Sequence, residues 1–68
     1  MKPFMPLLFW VCRDEEEDRW LVIVEGQPYG EYLSEELAIL EAIDFAADAR
    51  IGGNTAEVWH RETRARLY

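Results

Sequence analysis

Ser34-Glu35-Glu36-Leu37-Ala38-Ile39-Leu40-Glu41-Ala42-Ile43-Asp44-Phe45-Ala46-Ala47-Asp48-Ala49-Arg50-Ile51 reads as an α-helix, and the apolar residues elsewhere in the chain need a partner to lie against. The Ser34 hydroxyl is placed to cap the first turn, and Glu35 and Glu36 put negative charge at the positive end of the helix dipole. Arg50 falls in the last turn, and Gly52-Gly53-Asn54 stops the helix. At 100° per residue, Ile39, Ala42, Ile43, Ala46 and Ala49 share one side, with Glu41, Asp44 and Asp48 opposite. That is one narrow buried face made of small residues, which lets a helix approach a sheet closely. Leu37, Leu40 and Phe45 fall on its flanks, where they cap the core edges or reach a second chain.

N-terminal to this helix, Leu7 to Cys12 is a continuous apolar run of strand length, entered through Pro3 and Pro6. Arg13-Asp14-Glu15-Glu16-Glu17-Asp18-Arg19 follows, with five consecutive acids. They lack the alternating ligand spacing and central glycine of a calcium loop, so they read as a solvated hairpin loop. Trp20-Leu21-Val22-Ile23-Val24 is a second strand, antiparallel to the first. Gly26-Gln27-Pro28-Tyr29-Gly30 reads as a turn, and Glu31-Tyr32-Leu33 as a short extended piece before the cap. Beyond the helix, Ala56, Val58 and His60 alternate with Glu57 and Trp59 in strand fashion. Arg64-Ala65-Arg66-Leu67-Tyr68 alternates likewise, joined to the preceding strand by a tight turn at Arg61-Glu62-Thr63.

The expected architecture is therefore a single α+β domain over residues 1–68, with residues 1–6 as an N-terminal arm. Its order is ββαββ: two layers, with an antiparallel sheet of about four strands covered on one face by one helix. A half-wet antiparallel sheet should alternate cleanly, yet the first two strands are apolar at nearly every position. The face away from the helix needs cover from the arm, from a second copy of the chain or from another protein.

Composition narrows the function classes. A chain of 68 residues has room for one modest core. One cysteine, Cys12, excludes an internal disulfide framework and suits a reducing compartment. The opening apolar run is short, proline-broken and followed by acids, so it is neither a signal peptide nor a membrane span, and the cytoplasm is the expected location. The formal net charge is −7, with 4 basic and 12 acidic side chains in residues 1–50 against 3 and 2 in residues 51–68. An acidic field of this kind opposes phosphate binding.

Trp20-Leu21-Val22-Ile23-Val24-Glu25-Gly26, the Ser34 cap, Ala38-Ile39 with Ala42 and Ala46 behind, and Ala56-Glu57-Val58-Trp59-His60 together resemble a group of short bacterial domains, the domain of unknown function DUF2188. The resemblance covers about residues 20–66. It implies a tryptophan-led strand, a small-capped helix rich in Ala and Ile, and a closing hairpin, but no activity. Where that group has Asp-Gly after the histidine, this chain carries Arg61-Glu62-Thr63-Arg64.

Residues with chemical potential are few. Cys12 and His60 are the only candidates for a thiol–imidazole pair, which would also need a concave pocket and an oxyanion site. Cys12 reads as structural, and His60 as half-buried with its ring bonded to a carbonyl or carboxylate. One His and one Cys make a poor metal site. No phosphate loop, nucleotide fingerprint or nucleophile elbow is present, so neither enzyme activity nor a cofactor is expected. The expected role is a small, self-associating (homodimeric) interaction module, or one that takes another protein partner. Leu8, Trp10, Trp20, Val22, Trp59 and Tyr68 are its candidate interface. The alternative is a nucleic-acid-binding module in which Arg61, Arg64 and Arg66 meet phosphates beside stacking aromatics.

Overall fold

The computed structural model describes residues 6–68, so all of the expected N-terminal arm except Pro6 lies outside the described residues. The element order is β1 (Leu7–Asp14), β2 (Arg19–Val24), β3 (Gln27–Tyr32), α1 (Glu35–Ile51) and β4 (Ala56–His60). One four-stranded sheet is formed in the order β3-β2-β1-β4. The chain is α+β, with one helix among the described residues, packed on one sheet face.

The expected ββαββ order and fully antiparallel sheet give way to βββαβ and a mixed sheet. β1 and β2 pair antiparallel, as do β2 and β3, but β1 and β4 pair parallel. The cause lies at Gly26–Gly30. The reversal itself is confined to Glu25 and Gly26, both with positive φ (52° and 78°), which matches the right-handed strand twist in a two-residue hairpin. Gln27 onward is already strand. Pro28 is tolerated there because β3 is an edge strand and the register shifts opposite Val22 and Ile23. Three strands before the helix, rather than two, leave β3 running with β1. The helix returns the chain, so β4 must also run with β1. At the C-terminus, the expected last strand reduces to one bridge, Trp59 to Arg66. Leu67 and Tyr68 both donate to the Val58 carbonyl, at 2.7 and 3.3 Å, and this doubling interrupts a regular ladder.

α1 begins and ends as its sequence dictates. The Ser34 hydroxyl accepts from the Leu37 amide at 3.2 Å. At the other end, Gly53 has φ +94° and donates to Arg50 O at 3.0 Å, while Asn54 donates to Ala49 O at 2.9 Å. These are the paired bonds of a Schellman cap. The face turned to the sheet is centred on Ala38, Ala42 and Ala46, all fully buried, with Ile39, Ile43, Phe45 and Ala49 on its flanks. The centre is thus displaced from the expected Ile39/Ala42/Ile43 side, because helices pack on sheets through their smallest side chains. Beneath the alanines lie Val11, Val22 and Val58, also with no exposure. Leu37 and Leu40 remain exposed.

Candidate interaction face

Strand alternation and register assign every sheet residue to a side. Phe9, Val11, Val22, Val24, Ala56 and Val58 form one cluster with the helix alanines. The opposite side of the sheet receives Leu8, Trp10 and Cys12 from β1, Leu21 and Ile23 from β2, and Glu57 and Trp59 from β4. Trp10 lies beside Ile23 on one neighbour and Trp59 on the other. The two indoles approach with ring centroids 6.1 Å apart. Trp59 Nε1–H donates to Glu57 Oε1 at 2.9 Å, and the second Glu57 oxygen is 3.6 Å from Arg66 Nη1. The tryptophan is therefore held in place and its polar edge satisfied.

Beside this apolar strip is a shallow hollow of ≈ 380 Å³ lined by Trp10, Ile23, Gly26, Arg61 and Arg64. Neither Arg61 nor Arg64 forms an ion pair among the described residues. Cys12 is a buried residue of the same side. Burial pushes its thiol up, with the neighbouring Arg61 guanidinium pulling the other way.

The candidate residues divide accordingly. Leu8, Trp10 and Trp59 lie together, half-buried, on the side away from the helix. Val22 is fully buried under the helix, and Trp20 packs against the same cluster with its ring 5.8 Å from that of His60. The pairing Val11 to Val22 puts those two strands in phase, which explains why Trp20 and Val22 turn inward while Leu8 and Trp10 turn out. Tyr68 also sits on the helix side, where the Arg50 guanidinium stacks 4.0 Å from its ring centroid. Of the three C-terminal arginines, Arg61 and Arg64 reach the hollow, whereas Arg66 is engaged by Glu57 and by the Tyr68 carbonyl. Leu21 and Ile23 belong to this face but were not among the candidates. Their parity with Leu8 and Trp10 depends on the hairpin register, which a charged loop of unassigned turn type does not specify.

Cys12 and His60 leave opposite sides of the sheet. The His60 ring is buried beneath the first turn of α1, where Nε2 lies 2.7 Å from Glu35 Oε2. Nδ1 accepts the Thr63 amide at 3.3 Å, so the Nε2–H tautomer donates to the carboxylate. The expected carboxylate contact is present, and its source is Glu35. Spacing carried that signal, since Glu35 precedes Ala38 by three residues and Ala42 by seven and so shares their face. No group of three or more His, Cys, Asp or Glu side chains suited to a metal ion occurs among the described residues. No helix of the described residues is long and apolar enough to cross a membrane.

Fold and face together define a small two-layer α+β domain with a half-buried aromatic strip on the sheet side away from its helix. Protein-family models, curated proteins and solved structures give no match to the chain.

Proposed function

We propose that this chain is a non-enzymatic self-association module, two copies meeting through the sheet faces that their helices leave uncovered. One observation carries the reading: Leu8, Trp10, Leu21, Ile23 and Trp59 form a contiguous, half-buried apolar strip on the sheet side away from the helix, with no helix or strand of the described residues packed on it. Aromatic residues flanked by arginines are the side chains that interface centres favour. Two-fold pairing is the commonest arrangement by which identical chains bury such a patch. The separation of Cys12 from His60 by the sheet removes the one nucleophile–base pair the sequence offers, which supports a non-catalytic role. A single cysteine suits a reducing compartment such as the cytoplasm. The resemblance to DUF2188 implies no activity and stands beside this reading.

Sedimentation equilibrium tests the proposal. Wild type is expected to sediment as a dimer at micromolar concentrations, and Trp10→Ser with Trp59→Ser as a folded monomer. A wild type that remains monomeric to about 1 mM, the weak end of specific association, would rule the reading out.

A nucleic-acid reading draws on a different observation, the guanidiniums of Arg61 and Arg64 beside Trp10, which form no ion pair among the described residues. The net charge of −7 works against it. It requires a labelled single-stranded oligonucleotide to bind at low salt and to be lost on Arg61→Ala with Arg64→Ala. Absence of binding at low salt removes it.

A further inference from the structure

We infer that the self-association is antiparallel and electrostatically keyed, with the acidic β1–β2 tip of each copy seated on the Arg61/Arg64 hollow of the other. The inference rests on the self-association reading and adds its geometry.

Two sets of side chains carry unmatched charge. At the tip, Asp18 is engaged by Arg13, and Asp14 Oδ1 accepts the Glu16 and Glu17 amides. The side chains of Glu15, Glu16 and Glu17 are exposed and make no hydrogen bond or ion pair among the described residues. The Arg61 and Arg64 guanidiniums are likewise without an ion-pair partner, although the chain carries 14 acidic side chains. Those arginines line the hollow with Trp10 and Ile23, Arg61 standing beside Val11 and Cys12, whereas the glutamates lie beyond the Asp14–Arg19 pair at the end of the same hairpin. Four residues of strand separate Trp10 from Asp14, about 14 Å at the usual rise, and two separate Cys12, beside Arg61, from it, about 7 Å. Within one copy no ion pair joins the two sets among the described residues.

Face-to-face pairing brings them together by symmetry. A two-fold axis lying between the sheets and running across the strands reverses position along each strand while leaving each strand over its own counterpart. The β1–β2 tip of one copy then falls on the β1–β2 pair of the other, where the hollow lies. Its crossing point, midway between Trp10 and Asp14, falls near the paired residues Cys12 and Leu21, at the end of the apolar strip nearest the tip. Both ends of the interface carry the same Glu–Arg contact, as an isologous dimer requires. A face of this kind also offsets the repulsion between two chains of charge −7, since the opposite charges are placed where the chains meet. An axis along the strands would instead superpose tip on tip.

Charge reversal with complementation tests the arrangement. One variant carries Arg61→Glu and Arg64→Glu, the other Glu15→Lys, Glu16→Lys and Glu17→Lys. Each alone sets like charges against each other at both ends and is expected to raise the dimer Kd by about tenfold or more. Mixed in equal amounts, the two restore opposite charges at both ends and should form a heterodimer approaching wild-type affinity, read by sedimentation with one species labelled. Circular dichroism checks the fold of each variant, and Arg64→Glu alone, at an exposed position, serves if the double substitution unfolds. Wild-type affinity in either reversed homodimer, or no recovery on mixing, overturns the keyed arrangement while leaving self-association intact. A monomeric wild type overturns both readings. Capture of the arginine face by a separate acidic protein, with no wild-type dimer, likewise counts against this inference.

Discussion

Removing the Glu35 carboxylate should destabilise the fold through His60 rather than through the helix cap. The imidazole side chain is 8 % exposed and its Nε2 lies 2.7 Å from a carboxylate that is itself 42 % exposed. A hydrogen bond to a charged group contributes about 1.5–3 kcal/mol net. Glu35 is reached by water, so the pair belongs at or below the bottom of that range, about 1–1.5 kcal/mol. Glu35→Ala also loses the favourable charge at the helix N-terminus, about 0.3–1 kcal/mol, giving a total near 2 kcal/mol. His60→Ala loses the ring packing on Trp20 and the acceptor for Thr63 N–H as well. A double-mutant cycle removes those extra contributions and should return a coupling of about 1 kcal/mol. For a chain of this length, with a total stability of roughly 3–10 kcal/mol, that is readily measured. The assay is urea unfolding followed by tryptophan fluorescence at one fixed protein concentration, because association would add a concentration-dependent contribution. Both residues lie on the helix side, so the association contribution cancels within the cycle. A coupling below about 0.3 kcal/mol, the ordinary scatter of independent sites, would refute the claim that Glu35 anchors α1 to β4.

Ala42→Leu should cost about 1–3 kcal/mol in the same assay, because three added carbons meet a fully buried position over fully buried valines, whereas Leu40→Ala at an exposed position should cost under about 0.5 kcal/mol. Gly53→Ala should cost about 1 kcal/mol: a Cβ there meets nothing within 4 Å, so the loss is the backbone cost of φ +94° alone, and an unchanged urea midpoint would contradict the cap geometry. Burial raises the Cys12 thiol, so its folded value lies above its unfolded one. The resulting stability is present below the ordinary thiol range and is lost as pH rises through the folded value. Tyr32 is raised for the same first reason and acts with the same sign, so the Cys12 share appears as a shallower alkaline decline in Cys12→Ala than in wild type. Native Cys12 should react slowly with a thiol reagent at pH 8 and quickly once unfolded.

The helix was legible because its signals are local and agree: a serine cap, acids at the first turn, a glycine stop and a small-residue face. The strands at Leu7, Trp20 and Ala56 were legible by length and pattern. β3 was legible only at its end, Glu31 and Tyr32, because Pro28 and Gly30 are turn residues by composition, and only the edge position that excuses Pro28 shows them to be strand. One unrecognised strand changes the chain direction after it, which is why the β1–β4 pairing came out parallel. The candidate face suffered from the same kind of error at finer scale. Apolar residues at successive positions of β1 and β2 carry no parity of their own, so Trp20 and Val22 could not be separated from Leu8 and Trp10 until register was known.

Two apolar surfaces remain on the described chain, and charge discriminates between them. The outward side of α1 exposes Leu37, Leu40 and Ile51, but Glu36, Asp44 and Asp48 stand among them without ion-pair partners. Joining two such helices would desolvate and oppose carboxylates on both chains, a cost that stands against Leu37, Leu40 and Ile51 even though they are more exposed than the half-buried residues of the sheet side. On the sheet side, Glu57 is the carboxylate nearest the tryptophans, and both of its oxygens are engaged, by Trp59 Nε1 and by Arg66. The topology strengthens the contrast. Because β4 runs with β1, its end lies beside Val11, and the Arg61 amide donates to the Val11 carbonyl at 2.9 Å. An antiparallel β4 would end beside Leu7 and carry Arg61 and Arg64 away from Cys12 toward the far end of the face. The third strand therefore does more than complete the sheet: by fixing the sense of β4, it places Arg61 and Arg64 beside the apolar strip, on the hollow that Trp10 and Ile23 line.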